Sequence, residues 1–222
     1  MGRESRNVQV ADAELAPQES RLGDALLFAK KLFTKDYRAI AALLPSGAGI
    51  CRRMAQQVDF SQAGVIVELG AGTGAITRAI VERVQPHHRL VIVERDPDFV
   101  DKLREYFPNH TVLRADATHM EEPLTNLGVR QVRYVFSGLA THALPIRGQV
   151  RLHRWLRRML DPNGYFIQIT HVPLHSPRRH VLQRYYSRLF LDVRFIPVWR
   201  HVPPGGVFIC RKVRERITPK PG

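Results

Sequence analysis

The feature that most constrains this chain is the run Val-Ile-Val-Glu-Leu-Gly-Ala-Gly-Thr-Gly at residues 65–74. Strand-forming residues give way at once to glycines at 70, 72 and 74, and helix formers follow from Ala75. A backbone turns that tightly from strand to helix, and approaches a ligand that closely, only where side chains are absent. The run therefore predicts an α/β domain whose ligand lies at the carboxyl end of a strand.

The rest of the text agrees with that reading. From Gly64 onward short β-rich runs alternate with helical ones, the signature of repeated βα units and a parallel sheet. Strands are predicted at 65–69, 90–94, 111–114, 132–137, 165–170, 193–198 and 207–210. Helices are predicted at 75–83, 97–107 with Pro97 at its first position, 147–160 and 180–190. The Asp-Pro-Asn-Gly run at 161–164 is predicted as the turn into the fifth strand. Only Pro203-Pro204-Gly205-Gly206 and its neighbours join the last two strands, too little chain for a crossover helix, so they should pair antiparallel. The fold class is a Rossmann-like, seven-stranded, mostly parallel sheet with an antiparallel terminal strand and helices on both faces.

Upstream, apolar residues recur at 22, 25, 26, 29, 32, 33, 37, 40 and 44, close to a 3.6 period, with Lys31, Lys35 and Arg38 on the opposite arc. This predicts an amphipathic helical segment that Pro45 closes. The expected organisation is a loosely ordered tail at 1–20, the helical segment within 21–60, a domain at 61–214 and a tail at 215–222. The polar opening 20 residues lack the apolar core of a signal peptide, and no window is apolar enough to span a bilayer. Cys51 and Cys210 are the only cysteines, with no Cys/His cluster at metal spacing, so neither a disulfide framework nor a metal site is expected. A reducing cytoplasm fits that usage.

Thirty-four Lys and Arg against 20 Asp and Glu leave the 222-residue chain at +14. An anionic partner follows, and nucleic acid, an anionic membrane surface or plain solubility all fit such a balance.

A glycine-rich loop alone does not name its ligand, since Gly70-x-Gly72-x-x-Ala75 also satisfies the dinucleotide fingerprint. Three acids move the reading towards S-adenosylmethionine. Glu68, inside the strand before the loop, suits the positive methionine portion and would repel a pyrophosphate. Glu94 closes the second strand, where a carboxylate accepts from both ribose hydroxyls, a feature that a dinucleotide enzyme would share. Asp116 follows the third strand, where the adenine amino group would lie. Ser137-Gly138-Leu139 after strand four puts small residues at the reaction mouth. The candidate cofactor-binding set is Glu68, Gly70, Ala71, Gly72, Thr73, Gly74, Glu94, Arg95, Asp116, Ala117, Ser137, Gly138 and Leu139.

These motifs, Glu-Leu-Gly-Ala-Gly-Thr-Gly-Ala-Ile-Thr, Val-Glu-Arg-Asp, Arg-Ala-Asp-Ala and Ser-Gly-Leu, together with Leu44-Pro45-Ser46-Gly47, Leu144-Pro145, Phe195-Ile196-Pro197-Val198-Trp199-Arg200 and Pro203-Pro204, resemble the soluble bacterial phospholipid N-methyltransferases over residues 25–212. The resemblance implies methylation of phosphatidylethanolamine towards phosphatidylcholine by a peripheral enzyme on the inner face of the cell membrane. Residues 22–44 would dock on the anionic surface, and the partner is the phospholipid substrate. An amino lipid such as ornithine lipid is an alternative substrate. An rRNA adenine N6-methyltransferase is the nearest competitor. Those enzymes carry an Asn-Pro-Pro-Tyr type segment after strand four, where this chain has Ser137-Gly138-Leu139-Ala140, so nucleic acid is disfavoured. For the proton that the substrate ammonium must lose, His142 and Tyr185 are the candidate catalytic residues, with His171 and Tyr186 behind them. Arg178, Arg179 and Arg184 are candidates to hold lipid phosphate.

Overall fold

A computed structural model describes residues 45–170, 177–198 and 205–213. The predicted helical segment at 22–44, both tails and His171 lie outside the described residues.

Seven strands form one sheet: β1 (Gly64–Leu69), β2 (His88–Glu94), β3 (Thr111–Arg114), β4 (Val132–Ser137), β5 (Leu160–Thr170), β6 (Phe190–Val198) and β7 (Gly205–Val213). Their order is β3-β2-β1-β4-β5-β7-β6. Six strands run parallel, and β7 enters between β5 and β6 antiparallel to both. The expected antiparallel final pair is therefore present, with the reversed strand inside the sheet instead of at its edge.

Side chains alternate across the sheet, so successive residues of one strand serve two cores. Ile66, Leu90, Tyr134 and Ile167 pack on one face with α1 (Pro45–Gln56), α2 (Ala75–Val81) and α3 (Pro97–Tyr106). Val67, Val91, Val135 and Phe166 pack on the other with α4 (Glu121–Asn126), α5 (Ile146–Met159) and α6 (Pro177–Ser187). Both faces being covered accounts for the continuous apolar runs Val65–Val67 and Leu90–Val93 in β1 and β2.

Three local readings change. Pro45 opens a helix instead of closing one, because proline's fixed φ and missing N–H suit a first helical turn. Strand β5 begins at Leu160, which pairs with Val132 while Tyr165 pairs with Tyr134, so 161–164 is a bulge within the strand. Its turn chemistry survives there, since the Asn163 N–H donates to Asp161 Oδ1 at 2.7 Å. Helix α4 is an addition; its six residues include Pro123 and are anchored by buried Leu124. At α3 the expected start holds, with Pro97 in the first turn and Asp96 accepting from the Asp98 N–H.

Strand order reverses between β1 and β4, and in open α/β sheets the crevice at such a switch point holds the ligand. The glycine loop after β1 and the Ser137–Leu139 loop after β4 flank it.

Candidate functional site

The glycine loop is held from below and from the side. The Gly70 and Ala71 N–H groups both donate to the Val93 carbonyl, at 2.9 and 3.2 Å. Glu94 staples the loop's crest, its Oε2 accepting from the Gly72 N–H at 2.9 Å while Oε1 accepts from the Arg95 and Asp96 N–H groups. Gly70 and Gly72 have φ of 71° and 55°, where a side chain is disfavoured. Their surroundings differ. A Cβ on Gly70 would strike Leu139 Cδ2, whereas one on Gly72 would meet nothing within 4 Å. Gly70 is thus constrained by its φ and by the Leu139 side chain, which would have to move, whereas Gly72 presents bare backbone in open space.

Glu68 is fully buried at the end of β1 and neither carboxylate oxygen has a hydrogen-bond partner. Burial pushes its pKa up to about 8; the Thr77 hydroxyl and N–H on α2 lie close enough to pull it down without meeting hydrogen-bond geometry, and Glu94 adds to the rise. The Thr77 hydroxyl beside it is also buried and unpartnered. An orphaned carboxyl of this kind is costly unless a positive group meets it. At the far end, Asp116 Oδ1 accepts from the Thr118 N–H at 2.8 Å. Partial burial opposes ionisation of Asp116, but Thr118 and His119 outweigh it and hold the pKa below the usual carboxylate value. Trp155 of α5 donates to the Ala117 carbonyl at 3.1 Å and so fixes the Asp116–Ala117 turn.

The order along the crevice is therefore a buried unpaired acid, a bare glycine crest, an acid at the crest and an ionised acid beyond it. That sequence fits a ligand cationic at one end with a ribose and adenine at the other. Among the described residues no three His, Cys, Asp or Glu side chains converge. Both cysteines are buried and unbridged, and burial pushes Cys51 up to about 12, which makes it a poor nucleophile.

The opposite lip is the loop after β4. Ser137 is buried and its Oγ accepts from the Leu139 N–H at 3.3 Å; the Gly138 N–H donates to the Leu69 carbonyl at 3.0 Å. His142 lies in the short 3-10 turn Thr141–Ala143 and is exposed. Tyr185 does not serve this lip: its hydroxyl bonds to His153 Nε2 of α5 at 3.1 Å, and the two rings are 5.6 Å apart. Burial pushes the Tyr185 phenol up and lowers His153 to about 4, so this pair stays neutral. Tyr186 reaches the lip instead, with its hydroxyl 2.8 Å from Thr141 Oγ1. Of the candidate phosphate-holding arginines, Arg179 is half-buried with its guanidinium 5.5 Å over the Phe195 ring, and Arg184 is exposed.

Sequence reasoning missed Gln168, Thr141 and Trp155. A single Gln within an apolar strand carries no spacing signal, and its partners Ser137, Leu139 and Thr141 lie 27 to 31 residues away in the chain.

Comparison with known proteins adds four findings. Residues 66–164 match the model of a methyltransferase domain family. The chain is 40% identical over 195 residues to an ornithine lipid N-methyltransferase of Singulisphaera acidiphila, covering 86% of this chain and 98% of that protein. A ribosomal RNA small subunit methyltransferase A of Leptothrix cholodnii is 34% identical, over only 37% of this chain and 30% of that protein. Among solved structures, an O-methyltransferase from Bacillus cereus in complex with SAH shares the fold at a TM-score of 0.61 and 13% identity, over 93% of this chain and 95% of that one.

Proposed function

This chain belongs to the class I S-adenosylmethionine-dependent methyltransferases, in the family of the ornithine lipid N-methyltransferase it matches, and from that premise we propose that it methylates the primary amine of an ornithine-type amino lipid. The observation that carries the substrate class is the match over 98% of that relative's length, against a partial match to the rRNA enzyme. Phosphatidylethanolamine, the substrate that the motif resemblance implied, becomes the second reading.

When bound, S-adenosylmethionine supplies a methyl group on a positive sulfur that an amine lone pair can attack in line. Glu68 is the acid placed to meet the cofactor's positive portion, Glu94 with the Gly72 crest the ribose, and Asp116 the adenine end. Pairing with a cation would also draw the Glu68 carboxyl towards its ionised form. Ser137–Leu139 form the lip against which the amine would rest. An amine with a lysine-like pKa holds its proton at neutral pH, and removing it costs about 4 kcal/mol. Exposed His142, in the turn beside that lip, is the group proposed to receive or relay the proton.

Membrane docking belongs to the same proposal. Residues 22–44 are the proposed amphipathic anchor, and a second surface supports it. Along α5, Ile146 and Val150 are 72% and 49% exposed, and Arg154 and Arg157 continue the same face at helical spacing. A groove of about 480 Å³ lined by Val150, His153, Arg154, Arg157 and Arg158 runs along it. Apolar side chains beside arginines suit an anionic bilayer, where each cation near the surface adds about 1 kcal/mol. No helix among the described residues is long and apolar enough to cross a membrane. The proposed location is peripheral, on the inner face of the cell membrane.

The test is methyl transfer from labelled S-adenosylmethionine into vesicles containing ornithine lipid, phosphatidylethanolamine or neither. Label in the ornithine lipid amine supports the reading, and label confined to phosphatidylethanolamine replaces it with the second.

A further inference from the structure

The loop that forms the reaction lip is held by a buried chain of polar side chains that the cofactor motifs do not include. Gln168, on β5 and directly opposite Ser137 in the ladder, is 2% exposed. Its Nε2 lies 3.2 Å from the Ser137 carbonyl, 2.6 Å from the Leu139 carbonyl and 2.7 Å from that of Ile169. Three carbonyls around one end of the amide fix its orientation, because the reverse placement would set oxygen against oxygen. Its Oε1 accepts from the Thr141 hydroxyl at 3.2 Å. With that proton committed, Tyr186 is the donor in the 2.8 Å bond to Thr141 Oγ1. Donation therefore runs one way, from Tyr186 through Thr141 and Gln168 to the two lip carbonyls. Thr141 and Tyr186 are each 1% exposed, so water does not compete.

The lip that this chain holds is locked against the cofactor loop. A Cβ on Gly138 would come within 2.9 Å of the Gly70 carbonyl oxygen, and Leu139 fills the space beside Gly70. The Ser137 and Leu139 carbonyls are both taken by Gln168, and among the described residues no donor meets the Gly138 carbonyl. We propose that Gln168 is a positioning residue, which through the Tyr186–Thr141 relay sets the lip so that the Gly138 carbonyl accepts an N–H of the substrate amine and aims its lone pair at the methyl donor. In that arrangement the N–CH₃ bond forms as the S–CH₃ bond breaks, sulfur keeps the bonding pair, and the amine's proton leaves through His142 or to water. Placement matters because displacement of a reacting atom by about 1 Å costs on the order of 10²-fold in rate.

The proposal rests on the amine-methylating reading but not on which lipid is the substrate. The experiment measures steady-state kinetics of the full chain on its best lipid, with SAH affinity and melting temperature measured for each variant. Gln168→Met keeps the volume and removes the amide; Thr141→Val removes the hydroxyl, and Thr141→Ser restores it. Expected are a roughly 10- to 100-fold loss of kcat in Q168M and about 10-fold in T141V, SAH affinity within about twofold of wild type throughout, and T141S close to wild type. If Q168M does not fold, the contrast between T141V and T141S carries the test alone. Folded variants with unchanged kcat overturn the proposal, as does a loss of SAH affinity in proportion to kcat, which would mark the chain as scaffold only. Failure of the substrate reading shows differently, as wild type that labels no amine-bearing lipid.

Discussion

At the scale of single residues the site depends on one unfavourable placement, the unpartnered Glu68 carboxyl in the core. Its folded pKa, about 8, lies above the ordinary carboxylate value, so the cofactor-free protein binds an extra proton between the two. Stability contributed by that proton is full at low pH and is lost as pH rises through about 8. In the proposed cofactor site binding runs the other way, because there the ionised Glu68 pairs with a cation. Calorimetry across pH 6–9 is expected to show S-adenosylmethionine affinity strengthening by up to about tenfold per pH unit until about pH 8, and Glu68→Gln is expected to flatten that dependence. The two glycines separate packing from binding. Gly70→Ala should lower the melting temperature and cofactor affinity together because its Cβ strikes Leu139, whereas Gly72→Ala should stay folded and lose cofactor affinity by tenfold or more. Thermal melts with and without SAH check both.

At the scale of elements, the strand ends carried most of the legible information. Glu68, Glu94, Asp116 and Ser137 fall at carboxyl ends of β1 to β4 or just beyond, as the alternating pattern indicated. What the pattern could not show was pairing between distant elements. Gln168 matters only because β5 lies beside β4, and Tyr186 exceeds Tyr185 in importance only because the twist of α6 turns one residue to the lip and its neighbour to His153. Pro45 was ambiguous for a local reason, since proline both stops one helix and starts another. Helix α4 was hidden because six residues holding a proline show no period. The α5 face makes a prediction of its own: Arg154→Glu with Arg157→Glu should cut flotation with anionic vesicles about tenfold or more, leave turnover of detergent-dispersed lipid near wild type, and show a smaller loss at high salt. Equal flotation of the double variant would remove α5 from the docking surface.

At the scale of the whole molecule, two quantities read from composition remain in force, the size of one α/β core and the charge of +14. Charge alone left RNA, membrane and solubility equal. The proposed membrane partner draws on exposed Ile146 and Val150, which lie on the same helix face as Arg154 and Arg157. Family membership, with the acids at the strand ends, gives the cofactor, and the identity of the amine is settled by which substrate takes the label. The most direct test of the account is therefore chemical. Purified protein is incubated with labelled S-adenosylmethionine and a mixture of anionic vesicles containing ornithine lipid and phosphatidylethanolamine with deproteinised rRNA, and the fractions are separated. The account predicts label on the ornithine lipid amine; label in the rRNA, with none in either lipid, would contradict it.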